Sequence, residues 1–230
     1  YAKAGDNGLK QIKVWSLEST KVTAITDPFA DSFSPAWDLD HKHMYFLAST
    51  DVALRSGWAN TSSMTARPNY AAYVINLTKK DDSPFKPKSD EEKVKEEKSE
   101  DKKDDKAKSK KPATKKVVID FDGIARRIMA LPLKGNYNSI IAGQSGFAFI
   151  SEGATLHKFD LKKLKAVEFG KGLRVSAIST NGKHMVVRAG RTWKVANTSG
   201  PNAKAAKTLK LDFNMKLNRI NHFEEIQGGS

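Results

Sequence analysis

Four side chains set close together are the first candidates for chemistry: Asp38, Asp40, His41 and His43. Residues two apart share a strand face, and two imidazoles with two carboxylates could hold a zinc ion. Their setting speaks against it. They fill a polar stretch between two apolar runs, where Asp accepts backbone hydrogen bonds and sets turn geometry. Asp120 and Asp122 form a second close carboxylate pair of the kind used in acid–base catalysis, and they too adjoin a turn. The run Ala142-Gly143-Gln144-Ser145-Gly146-Phe147 resembles a nucleophile elbow, but Phe147 stands where the second Gly of that motif belongs. Its surroundings read strand-turn-strand instead of strand-turn-helix, so a Gly-rich hairpin turn is expected. His157, His184 and His222 are isolated, and no Ser, His and carboxylate arrangement suggests a triad. The chain has no Cys, which removes disulfide scaffolds, thiolate zinc sites and Cys nucleophiles. No catalytic, cofactor-binding or metal-binding residue is assigned. Of four Trp residues, Trp15 and Trp193 hold matching places in two hairpins and are expected to pack between neighbouring units. Trp58 lies in a stretch without alternation and is the candidate exposed contact. Asn60, Asn76 and Asn197 begin glycosylation sequons, which matter only if the protein is exported.

The elements that must position these residues are strands. Gln11 to Leu17 alternates apolar and polar residues, Glu18-Ser19-Thr20 turns, and Lys21 to Thr26 returns. The same hairpin recurs at 155–169 and 192–211. Another begins at Tyr70 to Leu77, with Lys116 to Phe121 as its expected partner. The outline strand, polar turn, strand of Ser34 to Ser49 recurs at Val175 to Arg188. Four-stranded units repeating every ~40–50 residues suggest propeller blades. The expected fold is all-β: a partial β-propeller of four-stranded antiparallel blades, about three and a half of them. A partial blade covers about 1–27, a full blade about 28–122, and two more about 123–171 and 172–212, so that 1–212 is propeller and 213–230 an exit segment. Asp122-Gly123 is expected to turn into an extended stretch at Ile128 to Pro132.

Composition sets the outer bounds. The 230 residues suffice for one domain with a sizeable core or two small ones. Residues 79–116 hold 15 Lys and 11 Asp or Glu with almost no apolar side chains, so they are expected to be a disordered insertion within a hairpin. Loop-closure entropy rises slowly with length, which makes so long a loop tolerable. The net charge of +14 permits an acidic partner, but no nucleic-acid motif accompanies it and none is expected as a partner. No apolar run approaches the ~20 residues of a spanning helix. The opening residues read as the inside of a fold and not as a signal peptide, so the chain is expected to be an excerpt.

Two stretches resemble a known family. Ser34-Pro35-Ala36-Trp37-Asp38 through Tyr45-Phe46-Leu47-Ala48-Ser49 is similar to the blade pattern of tricorn-type serine proteases of peptidase family S41, although its turn lacks the usual Gly. Ile119-Asp120-Phe121-Asp122-Gly123-Ile124, Arg127-Ile128, Leu131-Pro132 and Gly135-Asn136-Tyr137 are similar to a stretch late in that family's propeller region. Lys210 to Leu217 resembles the lead-out toward the catalytic half. The resemblance implies a non-catalytic portion of a serine peptidase: a channel or gate that admits oligopeptides to a catalytic domain outside this chain. It implies no cofactor. As partners it implies the remaining blades and catalytic domains, peptide substrate, and a homo-oligomer of the parent. It implies the cytoplasm, or the periplasm if the parent carries a signal peptide. The family's catalytic Ser and His and its PDZ-like domain have no counterpart here. The alternative is a stand-alone basic β-rich module that binds an acidic protein.

Overall fold

A computed structural model describes residues 1–51, 68–86, 117–203 and 206–210. Trp58, His222 and most of the charged insertion lie outside the described residues, as does the segment 213–230. The described chain forms four antiparallel sheets whose strands follow one another in sequence. Blade 1 has three strands: β1 (Ala2–Ala4), β2 (Lys10–Trp15) and β3 (Val22–Ala24). Blade 2 has four: β4 (Asp31–Trp37), β5 (His43–Ser49), β6 (Ala71–Asn76) and β7 (Ile128–Ala130). Blade 3 consists of β8 (Ser139–Ala142), β9 (Phe147–Glu152), β10 (Thr155–Asp160) and β11 (Lys165–Lys171). Blade 4 consists of β12 (Leu173–Ile178), β13 (His184–Ala189), β14 (Thr192–Asn197) and β15 (Lys207–Thr208). The chain is thus the expected all-β set of propeller blades.

Alternation along a strand explains how the blades stack. In β5, Met44, Phe46 and Ala48 point into a core shared with Ile12 and Ile25 of blade 1. Tyr45 and Leu47 point the other way, into a core with Ile140, Ile150 and Phe159 of blade 3. A strand covered on both faces therefore reads as a continuous apolar run. Phe149 and Phe169 of blade 3 close a third core with Met185, Val187 and Ala196 of blade 4. Burying each of these large side chains contributes about 2–3 kcal/mol.

Each joint also has a charged group bonded to the backbone across it. Asp31 accepts from the Lys10 N–H of blade 1 at 2.7 Å. Asp38 accepts from the Gly146 N–H of blade 3 at 3.0 Å. Lys158 of blade 3 donates to the carbonyls of Thr198, Ser199 and Gly200 at 2.7, 3.3 and 3.4 Å. A buried charge is tolerated when polar groups replace its water, and here those groups belong to the next blade.

Blade 2 departs from the sequence expectation at its outer edge. Lys116 to Phe121 does not supply the fourth strand, and the described residues 117–121 are not a strand. β7 occupies that edge, with Tyr73, Val74 and Ile75 facing Ala130, Met129 and Ile128. One 3-10 turn, Ile124–Arg127, precedes β7 and places the Arg127 side chain against the returning segment. Arg127 donates to the carbonyls of Asn76, Leu77, Asp120 and Asp122. The Asp120 N–H donates to the Leu77 carbonyl. The return from the insertion is thus pinned by side-chain and single backbone bonds, and the ladder resumes only at Ile128. The boundary between blades 2 and 3 accordingly falls between Ala130 and Ser139 instead of near residue 122.

Candidate functional site

The first strands of blades 2, 3 and 4 converge. β4 packs directly on β8, whereas no contact of comparable extent joins the fourth strands β7 and β11. First strands meet at the joint between blades 2 and 3, and the end of β12 joins them at a shared trough. The ends of these three strands line an open trough of about 490 Å³, formed by Ser34–Trp37 with Leu39, by Ile140–Gly143 and by Ile178–Thr180.

The trough's walls are set by local chain geometry. Ser34 sits at a bulge in β4 with φ of 57°, a left-handed conformation that turns its hydroxyl toward blade 3. That hydroxyl donates to the Ile140 carbonyl at 3.1 Å and accepts from the Ile140 N–H at 3.3 Å. Beyond the bulge, β4 ends in the turn Asp38–His43. The Asp38 N–H donates to the His43 carbonyl, and the His41 N–H donates to the Asp38 carbonyl. Blade 4 repeats both bonds with Ser179, Gly182 and His184. His41, at φ 61°, thus occupies the left-handed position that Gly182 fills at φ 69°. At Gly182 a second constraint applies: a Cβ there would stand 2.7 Å from the Gly143 carbonyl oxygen. The Gly182 turn packs backbone to backbone on Gly143-Gln144, and this close approach fixes the blade 3 side of the trough against blade 4.

The four residues weighed for metal binding do not converge on one point: only Asp40 and His43 meet. The Asp38 carboxylate accepts from the Tyr45 hydroxyl at 2.7 Å as well as from Gly146. Burial pushes its carboxyl above the ordinary value, against the lowering effect of Tyr45. The Tyr45 hydroxyl is pushed far up by burial and by the neighbouring Asp38 charge. Asp40 turns to His43, with Nδ1 at 2.5 Å. Burial opposes ionisation of Asp40, but the His43 ring and the backbone N–H groups of Lys42 and His43 outweigh it and hold the carboxyl low. Among the described residues no three such groups gather as metal ligands. Asp120 and Asp122 bond to Lys79, through its N–H and its ammonium respectively. Ser145 lies in the expected hairpin turn, with Gly146 at φ 79°. His157 stands 3.3 Å from Glu152, and His184 is exposed.

The Trp expectation needs correcting. Trp15 is 52% exposed: it borders the gap between blades 1 and 2, beside Pro35, Trp37 and Met44, without being buried in it. With Trp37, Leu17, Val117, Val118 and Phe121 it lines a second groove of about 570 Å³ beside blade 1. Trp193 is half-buried on the side of blade 4 away from blade 3. The sequon at Asn76 is buried, while Asn197 is exposed. Sequence reading missed the trough itself and the tethers at Ser34, Asp38 and Lys158. The Ser34 and Asp38 partners lie 106 and 108 residues away, beyond any local pattern.

Chemically the trough is bare. Among the described residues no charged side chain lines it, and two of its hydroxyls are engaged: Ser34 with Ile140, and Ser179 with Asn181 and the His184 carbonyl. Such a surface can contact a chain passing over it through Trp37, Leu39 and exposed backbone, and among its described residues no acid or base stands beside a hydroxyl to activate it.

No protein-family model matches the sequence, and no curated protein matches it. Among solved structures, the chain is similar to one described as the crystal structure of the tricorn protease, with a TM-score of 0.60 and 18% identity. The match covers 93% of this chain and 22% of that one. At this identity the likeness is one of fold: the chain is a set of propeller blades with a tricorn-protease-like fold, and it spans about a fifth of the length of the protein it matches.

Proposed function

We propose that this chain is the non-catalytic propeller portion of a larger tricorn-like serine peptidase, and that its first strands border a channel or gate admitting oligopeptides to a catalytic domain outside the chain. The observation that carries the reading is the uncharged trough at the convergence of β4, β8 and β12. A surface with no chemistry of its own, formed where blades meet, suits passage better than reaction. A propeller encloses a central channel, and a bore of that kind excludes folded chains while passing extended ones. The fold likeness over a fifth of a protease supports the placement within a longer protein. On this reading residues 1–212 are blades, the segment 79–116 is an insertion on one blade's edge, and 213–230 leads out of the propeller. The remaining blades and the catalytic domains are its partners, and the parent assembles as a homo-oligomer.

The test uses the whole parent protein. Thr180→Trp and Ala142→Trp narrow the trough without touching a catalytic group. Cleavage of a series of peptides of increasing length should slow progressively with length, while the shortest peptides are cleaved as before. Equal rates at every length in both variants, or a parent without peptidase activity, would sink the proposal.

A further inference from the structure

The net charge is concentrated at one end of the molecule. Residues 161–210 contain twelve Lys or Arg and a single acid, Glu168, and so carry +11 of the chain's +14. Glu168 pairs with Lys171 on β11, at 3.8 Å. No ion pair among the described residues neutralises the cations of blade 4.

Register shows where those cations point. Met185, Val187 and Ala196 are buried against blade 3. Alternation places the intervening residues on the opposite face. There Arg174 faces Arg188, which faces Trp193. The next row is Ala177, Val186, Val195 and Lys207. Among the described residues nothing covers this face. Val186, Val195 and Trp193 are half-buried, and Arg174, Arg188 and Lys207 are exposed. It is an apolar strip flanked by cations.

Blade 2 shows what such a face does when covered. In the same register relative to its turn, blade 2 carries Phe33, Leu47 and Ala72, one row facing blade 3. Leu47 is fully buried there. A sheet seated on blade 4 as blade 3 is seated on blade 2 would take the Arg188 guanidinium out of water. A buried guanidinium is tolerated when carboxylates accept its hydrogen bonds. Arg174 and Arg188 are direct cross-strand neighbours and repel each other, which a carboxylate placed between them would relieve. Phosphate-rich ligands would meet the charges but have no use for the apolar strip between them.

The geometry points to this face as the docking surface for the next blade of the same larger protein, with Asp or Glu side chains of that blade opposite Arg174 and Arg188 and apolar side chains on Val186, Val195 and Trp193. The inference rests on the reading of the chain as a propeller portion. It is independent of whether the propeller passes peptides.

The experiment is zero-length coupling of amines to carboxylates in the full parent protein carrying Arg188→Lys, which supplies a reactive amine at the predicted contact. Peptide mapping should find the introduced amine joined to an Asp or Glu of the parent that lies outside these 230 residues, in a blade the ring places beside blade 4. Coupling to a different polypeptide, or no coupling with the amine still open to an acylating reagent, would overturn the inference. A second variant, Arg174→Glu with Arg188→Glu, places like charges against the partner carboxylates. Cleavage within residues 173–208 by an added protease should then rise roughly a hundredfold, and an unchanged rate would also overturn it. Neither readout involves peptide hydrolysis by the parent. A parent no larger than this chain would instead remove the propeller-portion reading itself.

Discussion

Blades 2 and 4 share a backbone plan and differ in what their faces are made of. Each begins with a bulged first strand, and each closes its first hairpin with the same pair of backbone bonds. Blade 2 presents apolar side chains on both sides, Met44 and Phe46 toward blade 1, Tyr45 and Leu47 toward blade 3. Blade 4 presents Met185 and Val187 to blade 3, and Arg174, Arg188 and Lys207 to its open side. The plan of a blade therefore resides in its turns and register, while the chemistry of each face answers to the neighbour it meets.

The comparison breaks most visibly if residues are exchanged between the two faces. Leu47→Arg buries an unpaired guanidinium in the joint between blades 2 and 3 and should cost about 4 kcal/mol. The converse, Arg188→Leu, should change the stability of this chain by no more than about 0.5 kcal/mol. Denaturant unfolding of the two variants reads both. Equal effects would mean that the two faces do not differ in the way their neighbours suggest.

A second exchange tests the turns. Gly182→Ala forces a side chain into a left-handed position and against the Gly143 carbonyl, and should destabilise by about 3 kcal/mol. His41→Gly in the matching turn relieves a left-handed His and should stabilise by about 1 kcal/mol. Thermal unfolding checks the signs. Loss of stability in both would show that His41 makes contacts worth more than its strain.

The smallest effect concerns pH. Asp40 titrates below the ordinary value near 3.8, so the stability it contributes is complete above that value and is lost as pH falls through its folded value. Asp38, raised by burial, does the reverse: its ionisation costs stability as pH rises from 3.8 through its folded value. Between about pH 5 and about pH 2, the advantage of the wild type over Asp40→Asn should shrink with acidification. Its standing relative to Asp38→Asn should improve. Parallel trends would contradict the opposed environments assigned to these two carboxylates.

Much of this was legible beforehand, because blades are local structures. Alternation in Gln11 to Leu17, the paired hairpins and the repeated turn at Asp38 and Ser179 are all encoded within a few residues of one another. The fourth strand of blade 2 was not. Val117-Val118-Ile119 has strand composition, yet the edge of β6 is taken by Ile128–Ala130, and the choice is settled by Arg127 reaching back to four carbonyls. Asp38 was read correctly as a turn residue, since it accepts from the Asp40 N–H at 2.9 Å. Its second bond, to Gly146 of the next blade, depends on how two blades stack. Lys158 gave no sequence cue: it is one Lys among many, and only the stack makes it 8% exposed under three carbonyls. Trp15 and Trp193 match in their hairpins but face different surroundings, so equivalence within a blade did not predict packing.

The most direct test of the central claim is the intact mass of the protein purified from its native host, with peptide mapping to show that it contains these 230 residues. A mass several times 25.4 kDa is predicted, with further blades and a catalytic region in the remainder. A mass near 25.4 kDa would contradict the account and leave a stand-alone basic module in its place.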